Sequence, residues 1–310
     1  MSTIIADNYA VMPEGKTWGM NDDKFEFQIK GEMKKTAGNE YQGLSIDGVT
    51  LTILATQMAY EKDSFNDQYD LNAEYPDVWD GTIGTVPEAV DNVVTISTAA
   101  ELAAFANDVN INGKNYSGVT VKLANDINLG NMPWTPIGQT GATEFRGVFD
   151  GQGNTSYNLN VDSAAQTGEH YSSGLFGWAE AYVTIQNVNI DGATVTGHHN
   201  VAALVGYTYS AKITNCHVTN ATIVCTHADD EACGDKSGSI AGYAGDESRF
   251  TNCSATDCTV KAGRDAGQLI GAGYTGSISD CSATNVTVMA NGTCNGSNVN
   301  ATIIGRVLGE

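Results

Sequence analysis

The chain has 310 residues, with 36 Asp and Glu against 15 Lys and Arg, for a formal net charge of −21. That balance excludes a nucleic-acid or anionic-lipid surface, which needs clustered cations, and no run of about 18 apolar residues marks a membrane span. Gly (35 residues), Asn, Thr and Val dominate while Pro is scarce, a composition of tight turns joined by short strands.

The length allows two domains and a sizeable core. The first residues, MSTIIADNYAVMPEGKTWGM, show no charged stretch followed by an apolar one, so no signal peptide is read there. A cytosolic protein and a fragment of an exported one are both open on that ground. Residues 1–70 form one β-rich unit: FEFQIK (25–30) alternates apolar and polar residues, and LSIDGVTLTILATQ (44–57) joins an Asp47-Gly48 turn to a β-branched strand. The acidic, aromatic stretch that follows has no period, and 71–92 is expected to be a linker.

A different pattern starts near Val93. Thr98-Ala99-Ala100-Glu101 is a capping box, and Leu102, Phe105, Ala106 and Val109 follow at helical spacing, so a helix is expected that stops by Gly113. VTVKLANDINL (119–129) reads as two strands, followed by WTPIG (134–138) and FRGVFDGQG (145–153). Four segments then align without gaps: TIQNVNIDGATVT (184–196), KITNCHVTNATIV (212–224), RFTNCSATDCTVK (249–261) and SISDCSATNVTVM (277–289). A near-repeat of about 28–29 residues is the mark of a stacked architecture.

The aligned columns have physical content. Asn187, Asn215, Asn252 and Asp280 form one corner, and Gly192, Asn220, Asp257 and Asn285 a second; these residue types tolerate the left-handed backbone of a sharp corner. Val188, Cys216, Cys253 and Cys281, then Ile190, Val218, Ala255 and Ala283, face inward. So do Ala193, Ala221, Cys258 and Val286, and then Val195, Ile223, Val260 and Val288. A third strand is expected to end at Gly177, Gly206, Gly242, Gly271 and Gly305. Extending backwards, Asn158 and Asn128 are placed in the first corner, giving about six coils. The expected fold is all-β: a right-handed parallel β-helix over 93–310, with coils about 4.8 Å apart and the helix capping its N-terminal end. Insertions fall after Val224 and after Met289, and the coil pattern runs to the last residues, which suggests a fragment or an end completed by a partner.

The order TAAELAAFANDVN, DINL, WTPIG, FRGVFDGQGNTSYNLNV, GLFG and further xxVG units resembles the GLUG-repeat β-helix regions of large bacterial surface proteins, including adhesin-like proteins and non-catalytic parts of some immunoglobulin A peptidases. It departs at Ser156, which replaces an apolar residue, and where Tyr207 and Tyr243 follow the glycine. GNEYQGLSIDGVTLTILATQMAYEKDSF (38–65) resembles the C-terminal end of TasA/camelysin-type proteins processed by SipW-like signal peptidases, and implies a partial β-sandwich at 1–70. Both resemblances imply export to the surface of a Gram-positive-type cell, and neither brings a catalytic residue.

Each chemical candidate has a plainer reading beside it. Cys216, Cys253 and Cys281 could form a metal ladder or a redox site, but free Cys is usually a small buried hydrophobe. Cys225 and Cys233 flank an inserted loop, where a local disulfide is open in an oxidising compartment, and Cys294 lies in the other insertion. His227, Asp229, Asp230 and Glu231 read as a solvated acidic loop before a divalent-cation site, and His198-His199 as an exposed turn before a ligand pair. Thr194, Thr222, Thr259 and Thr287 form an outward file beside Thr219, Thr256 and Thr284, but Thr196 gives way to Val224, Lys261 and Met289, so an ice-binding double file fails. Lys212 and Arg249 share a column that Thr184 and Ser277 flank, and Asp191, Asp257 and Asp280 read as corner formers. No catalytic residue, metal ligand set or cofactor is assigned. The expectation is a non-catalytic surface segment meeting a host or matrix protein or glycan. The alternatives are a carbohydrate-binding or carbohydrate-cleaving β-helix using Trp178, Tyr207, Tyr209 and Tyr243 as stacking platforms, and a fibre subunit that self-associates through an open edge.

Overall fold

The structure is a computed structural model that describes residues 76–166, 171–180, 182–226, 236–274, 276–290, 299–300 and 303–308. All lie in the second of two compact units, Met1–Met58 and Ala59–Glu310. The β-rich segment expected over 1–70 is outside the described residues, as are Cys233, Cys294 and the acidic loop from His227 to Glu231.

Five parallel ladders of short strands build a parallel β-helix. The first stacks Val93–Ile96, Thr120–Leu123, Val148–Asp150, Thr184–Gln186, Lys212–Thr214, Arg249–Thr251 and Ile278–Ser279. The second stacks Ile127–Asn128, Thr155–Tyr157, Asn189–Asp191, His217–Thr219, Ser254–Thr256 and Ser282–Thr284; the third runs Asn160–Asp162, Thr194–Gly197, Thr222–Cys225, Thr259–Ala262 and Thr287–Ala290. The fourth, of two-residue strands, holds Ser172–Ser173, Asn200–Val201, Lys236–Ser237, Asp265–Ala266 and Val299–Asn300. The fifth holds Phe176–Glu180, Val205–Tyr209, Ala241–Ala244, Ile270–Tyr274 and Ile304–Leu308. Each of the five complete coils therefore carries five short strands, where the column pattern had suggested three.

Burial follows the period of two that a strand imposes. In the first ladder the middle residues Val94, Val121, Phe149, Ile185, Ile213, Phe250 and Ile278 stand in register, all but the last fully enclosed. Val161, Val195, Ile223, Val260 and Val288 form the matching file of the third ladder. In the last coil Cys281, Ala283, Val286 and Val288 are half-buried, because no further described coil covers them.

At the other end the helix Ala99–Asn110 covers the core. Thr98 and Glu101 close the capping box reciprocally, and Leu102, Phe105, Ala106 and Val109 are buried as their spacing predicts. Phe105 sets its ring edge-on to Tyr116 at 4.8 Å and to Phe145 at 5.7 Å, and stacks on Phe149 at 6.2 Å. The segment before it, described from Pro76, is irregular but held: Trp79 is buried edge-on to Trp134, and Val78 bridges Asn128. WTPIG belongs to an incomplete first coil, in which the Trp134 indole N–H donates to the Leu175 carbonyl at 3.2 Å and Ile137 bridges Phe176.

Both compositional corners are left-handed as their residue types require. At the first, Asn187, Asn215, Asn252 and Asp280 have φ of 54°, 53°, 53° and 56°; at the second, Gly192, Asn220, Asp257 and Asn285 have 73°, 53°, 54° and 53°. The backward extension needs correction. Thr155 to Tyr157 pair with Asn189 to Asp191, so Asn158 is the second corner, equivalent to Gly192, and Asn128 is a strand residue beside Tyr157. Asp150 to Thr155 is five residues where Gln186 to Asn189 is three, and these two extra residues shift the spacing count. Asp191 likewise ends a strand one residue before its corner.

The repeated glycines also differ from expectation: Gly177, Gly206, Gly242, Gly271 and Gly305 lie one residue inside the start of each fifth-ladder strand. None has positive φ; the need is space. A Cβ on Gly206 would lie 2.6 Å from the Ser173 nitrogen and 2.7 Å from the Asn200 oxygen, because the fifth strand crosses directly over the fourth.

Two stability measurements test this architecture. Ser156 sits in the inward file between Ile127 and Ile190, fully buried, its hydroxyl without a hydrogen-bond partner. Ser156→Val is expected to raise the urea midpoint, by a stability gain of about 1–2 kcal/mol; an unchanged or lower midpoint would refute that packing. Asn215→Ala loses both the left-handed preference and its amide bonds and should cost about 2–4 kcal/mol, whereas Asn215→Gly keeps the backbone and should cost about half as much. Equal losses in the two variants would show that the left-handed backbone contributes nothing, and no loss in Asn215→Gly would show the same of the amide bonds.

Candidate functional site

The first corner carries a file of amides. The Asn187 Nδ2 donates to Asp150 Oδ1, Asn215 to Asn187, and Asn252 to Asn215, each at 2.9 Å. Asp150 ends the file and also accepts from the Gln152 backbone N–H and from Gln186 Nε2, both at 2.9 Å. Burial raises the Asp150 pKa, but these hydrogen bonds, led by Asn187, outweigh it and hold the carboxyl below its ordinary range. At the second corner Asp191 accepts from Thr219 Oγ1 at 3.0 Å and Asn220 Nδ2 at 2.7 Å, while Asp257 accepts from Asn285. These acids thus complete turns, in accord with the plainer reading.

The cysteine column is a packing column. Cys216 and Cys253 are buried and Cys281 half-buried, and their thiols donate to the carbonyls of Thr214 at 3.4 Å, Thr251 at 3.5 Å and Ser279 at 3.3 Å; Cys258, in the other inward column, is buried and donates to the Thr256 carbonyl at 3.2 Å. The neighbouring Cys216 thiol, with burial, pushes Cys253 up to about 12, and Cys281 is raised mainly by its hydrogen bond with Cys253. The raised thiols of Cys253 and Cys281 stay protonated, which disfavours both nucleophile and metal ligand there. Cys225 is buried and donates to the His198 and His199 carbonyls at 3.0 and 3.1 Å, and the two imidazoles meet edge-on at 4.5 Å. His199 is buried, not on an exposed turn. No group of three or more metal-binding side chains occurs among the described residues.

The outward files keep their predicted register. Thr194, Thr222, Thr259 and Thr287 pair in sequence, and Thr196 is followed by Val224, Lys261 and Met289. Lys212 stands between Thr184 and Arg249 on the first ladder. His217, which the repeat did not single out, bridges Ser254 Oγ at 2.7 Å and Asn215 Oδ1 at 3.1 Å, and burial pushes its pKa below the usual histidine range.

The aromatics come together on the fifth ladder. Trp178, Tyr207 and Tyr243 occupy one register position in three successive coils, with Ala272 next. Their rings stack, Trp178 on Tyr207 at 3.8 Å and 17°, and Tyr207 on Tyr243 at 5.0 Å and 20°. A sugar platform needs an open ring face. Here the large rings cover one another, and Gly141 packs on the Trp178 indole. Two residues along, Glu180 pairs with Tyr209 in a second outward file. The Trp178 indole N–H donates to Glu180 Oε2 at 2.5 Å, and the Tyr209 hydroxyl reaches Asp246 Oδ2 at 3.5 Å. Beyond lies a third left-handed corner, Tyr182, Ser210 and Glu247 at φ 68°, 51° and 61°, which residue type did not announce.

With that geometry in place, comparisons with known proteins fit the fold. A family model described as the GLUG motif matches residues 197–224, one full turn of the helix from the end of one third-ladder strand to the next. A crystal structure of a "putative immunoglobulin A1 protease" from Bacteroides ovatus superimposes with a TM-score of 0.51 at 21% identity, covering 70% of this chain. The aligned region spans 63% of that protein. No curated protein matches the sequence.

Asp150 offers a pH test of the amide file. Its folded pKa lies below the unfolded value near 3.9, so its stabilisation is present above that value and is lost as pH falls through the folded one. Asp150→Asn, which cannot accept from all three donors, should be less stable by about 1–2 kcal/mol near neutrality. That gap should narrow in urea titrations as pH falls below about 4; a gap independent of pH would contradict the arrangement.

Proposed function

We propose that this chain is a non-catalytic, extracellular β-helix segment of a bacterial surface protein, presenting its long outer face for adhesion and spacing other domains from the cell. One observation carries the reading: the residue types able to do chemistry at repeated positions are engaged in packing or turning. Cys216, Cys225, Cys253 and Cys258 are buried, the acids at and beside the corners accept from corner amides, and the cations Lys212 and Arg249 stand in a file beside threonine. The similarity to GLUG-motif proteins and to a protein bearing a protease name supports the architecture, and here the helix is read as the non-catalytic part of such an assembly. The stacked rings disfavour the carbohydrate-cleaving alternative, since the Trp178, Tyr207 and Tyr243 faces lie against one another.

The full chain, coupled to beads and incubated with matrix proteins, mucin glycans and immunoglobulin A1, is expected to retain at least one of them and to cleave none, read by bead capture and electrophoresis. Cleavage of any of these would overturn the reading, as would an absence of capture. Light scattering over a range of concentrations separates a monomeric spacer, of constant mass, from a fibre subunit whose mass climbs.

A further inference from the structure

The architecture accounts for the corners and the inward files, but nothing in it requires three large rings in a row, nor the acidic residues set around them. The outer face of the fifth ladder carries two files, Trp178, Tyr207 and Tyr243 in one and Glu180 and Tyr209 in the other. The adjoining corner adds Tyr182, 79% exposed, together with Asp246 and Glu247. Tyr209 is 39% exposed, and its ring lies over Gly245 of the next coil, where any side chain would collide with it. Asp246 above all, and then Glu247 and Glu180, push the Tyr209 phenol above its usual range. The face already accepts a cation from its own chain, since the Lys236 ammonium lies 5.2 Å from the Tyr243 ring centre.

We propose that this acidic aromatic face, built from Glu180, Tyr182, Tyr209, Asp246 and Glu247 beside the stacked rings, binds an arginine- or lysine-rich peptide segment of a partner protein. The proposal rests on the reading of the chain as a binding surface and names the chemistry of its partner. Charge complementarity selects the occupant. Guanidinium and ammonium groups are attracted both to ring faces and to carboxylates, and Arg pairs bidentately with the latter. The stacked file forms a rigid wall, while the exposed tyrosines of the second file and the corner offer ring faces alongside the acids. A neutral sugar could hydrogen-bond the three carboxylates but carries no charge to match theirs, and an anionic one would be repelled by them. The net charge of −21 draws basic segments from a distance, and the rings give them a place to dock.

The experiment titrates the full chain into a fluorescein-labelled arginine-rich peptide and follows polarisation at two salt concentrations. Asp246→Asn with Glu247→Gln is expected to weaken binding about tenfold, and Tyr209→Ala to weaken it by a similar factor. The pair Asp77→Asn and Glu88→Gln removes the same charge elsewhere on the exposed surface and should leave binding within about twofold. Circular dichroism verifies that each variant is folded; if Tyr209→Ala is not, the carboxylate pairs decide alone. Equal weakening by both carboxylate pairs would reduce the effect to net charge and overturn the proposal. So would the absence of binding, or displacement of the peptide by a neutral oligosaccharide, which would assign the face to glycan. Cleavage of a captured protein would instead remove the non-catalytic reading and leave the titration interpretable.

Discussion

An asparagine amide can give a hydrogen bond to the coil behind it and accept one from the coil ahead, and the first-corner file does both at Asn187 and Asn215. Everything else in the β-helix depends on that kind of registry. A slip of one residue between coils would turn every inward side chain outward. The magnitudes separate two roles. Each amide bond adds about 0.5–1.5 kcal/mol net, while each large residue of the inward file adds about 1.5–3 kcal/mol through burial. The core therefore supplies most of the gross stabilisation, and the corners decide which coil position lies over which. Asp150 closes the file at its N-terminal end, where an anion accepts three donors that no further asparagine is present to share.

Much of this was legible in the sequence, because the residues that repeat are the ones physics constrains most tightly. Left-handed corners select Gly, Asn and Asp; buried columns select Val, Ile, Ala and Cys; and the capping box marked the helix. The third corner was silent. Tyr182, Ser210 and Glu247 take positive φ although their types do not favour it, at about 1–2 kcal/mol each, so the coil closure around them fixes the backbone without a compositional signal. The Asn158 misplacement has a similar lesson. A spacing of 29 matched the period by coincidence, while two extra residues between the first and second ladders shifted the register. The fourth ladder, with two-residue strands, is too short to show any alternation of its own.

The aromatic file was visible as residues but not as an arrangement. Trp178, Tyr207 and Tyr243 are separated by unequal intervals, since an insertion falls between the second and third, and only the ladder register brings their rings face to face. Stacking then inverts the obvious reading, because aromatics that lie on one another cannot also serve as open platforms for a sugar ring.

The same logic distinguishes the fifth-ladder face from the rest of an acidic surface. At and beside the compositional corners the carboxylates of Asp150, Asp191 and Asp257 receive amide or hydroxyl donors from neighbouring turns, so much of their hydrogen-bonding capacity is used within the chain. At the third corner Asp246 receives the Tyr209 hydroxyl at 3.5 Å, the long end of a hydrogen bond. The rings beside it end abruptly where Ala272 takes the register position. A feature confined to three coils of a repeating structure, and required by none of the rules that build those coils, can meet a partner without disturbing the fold.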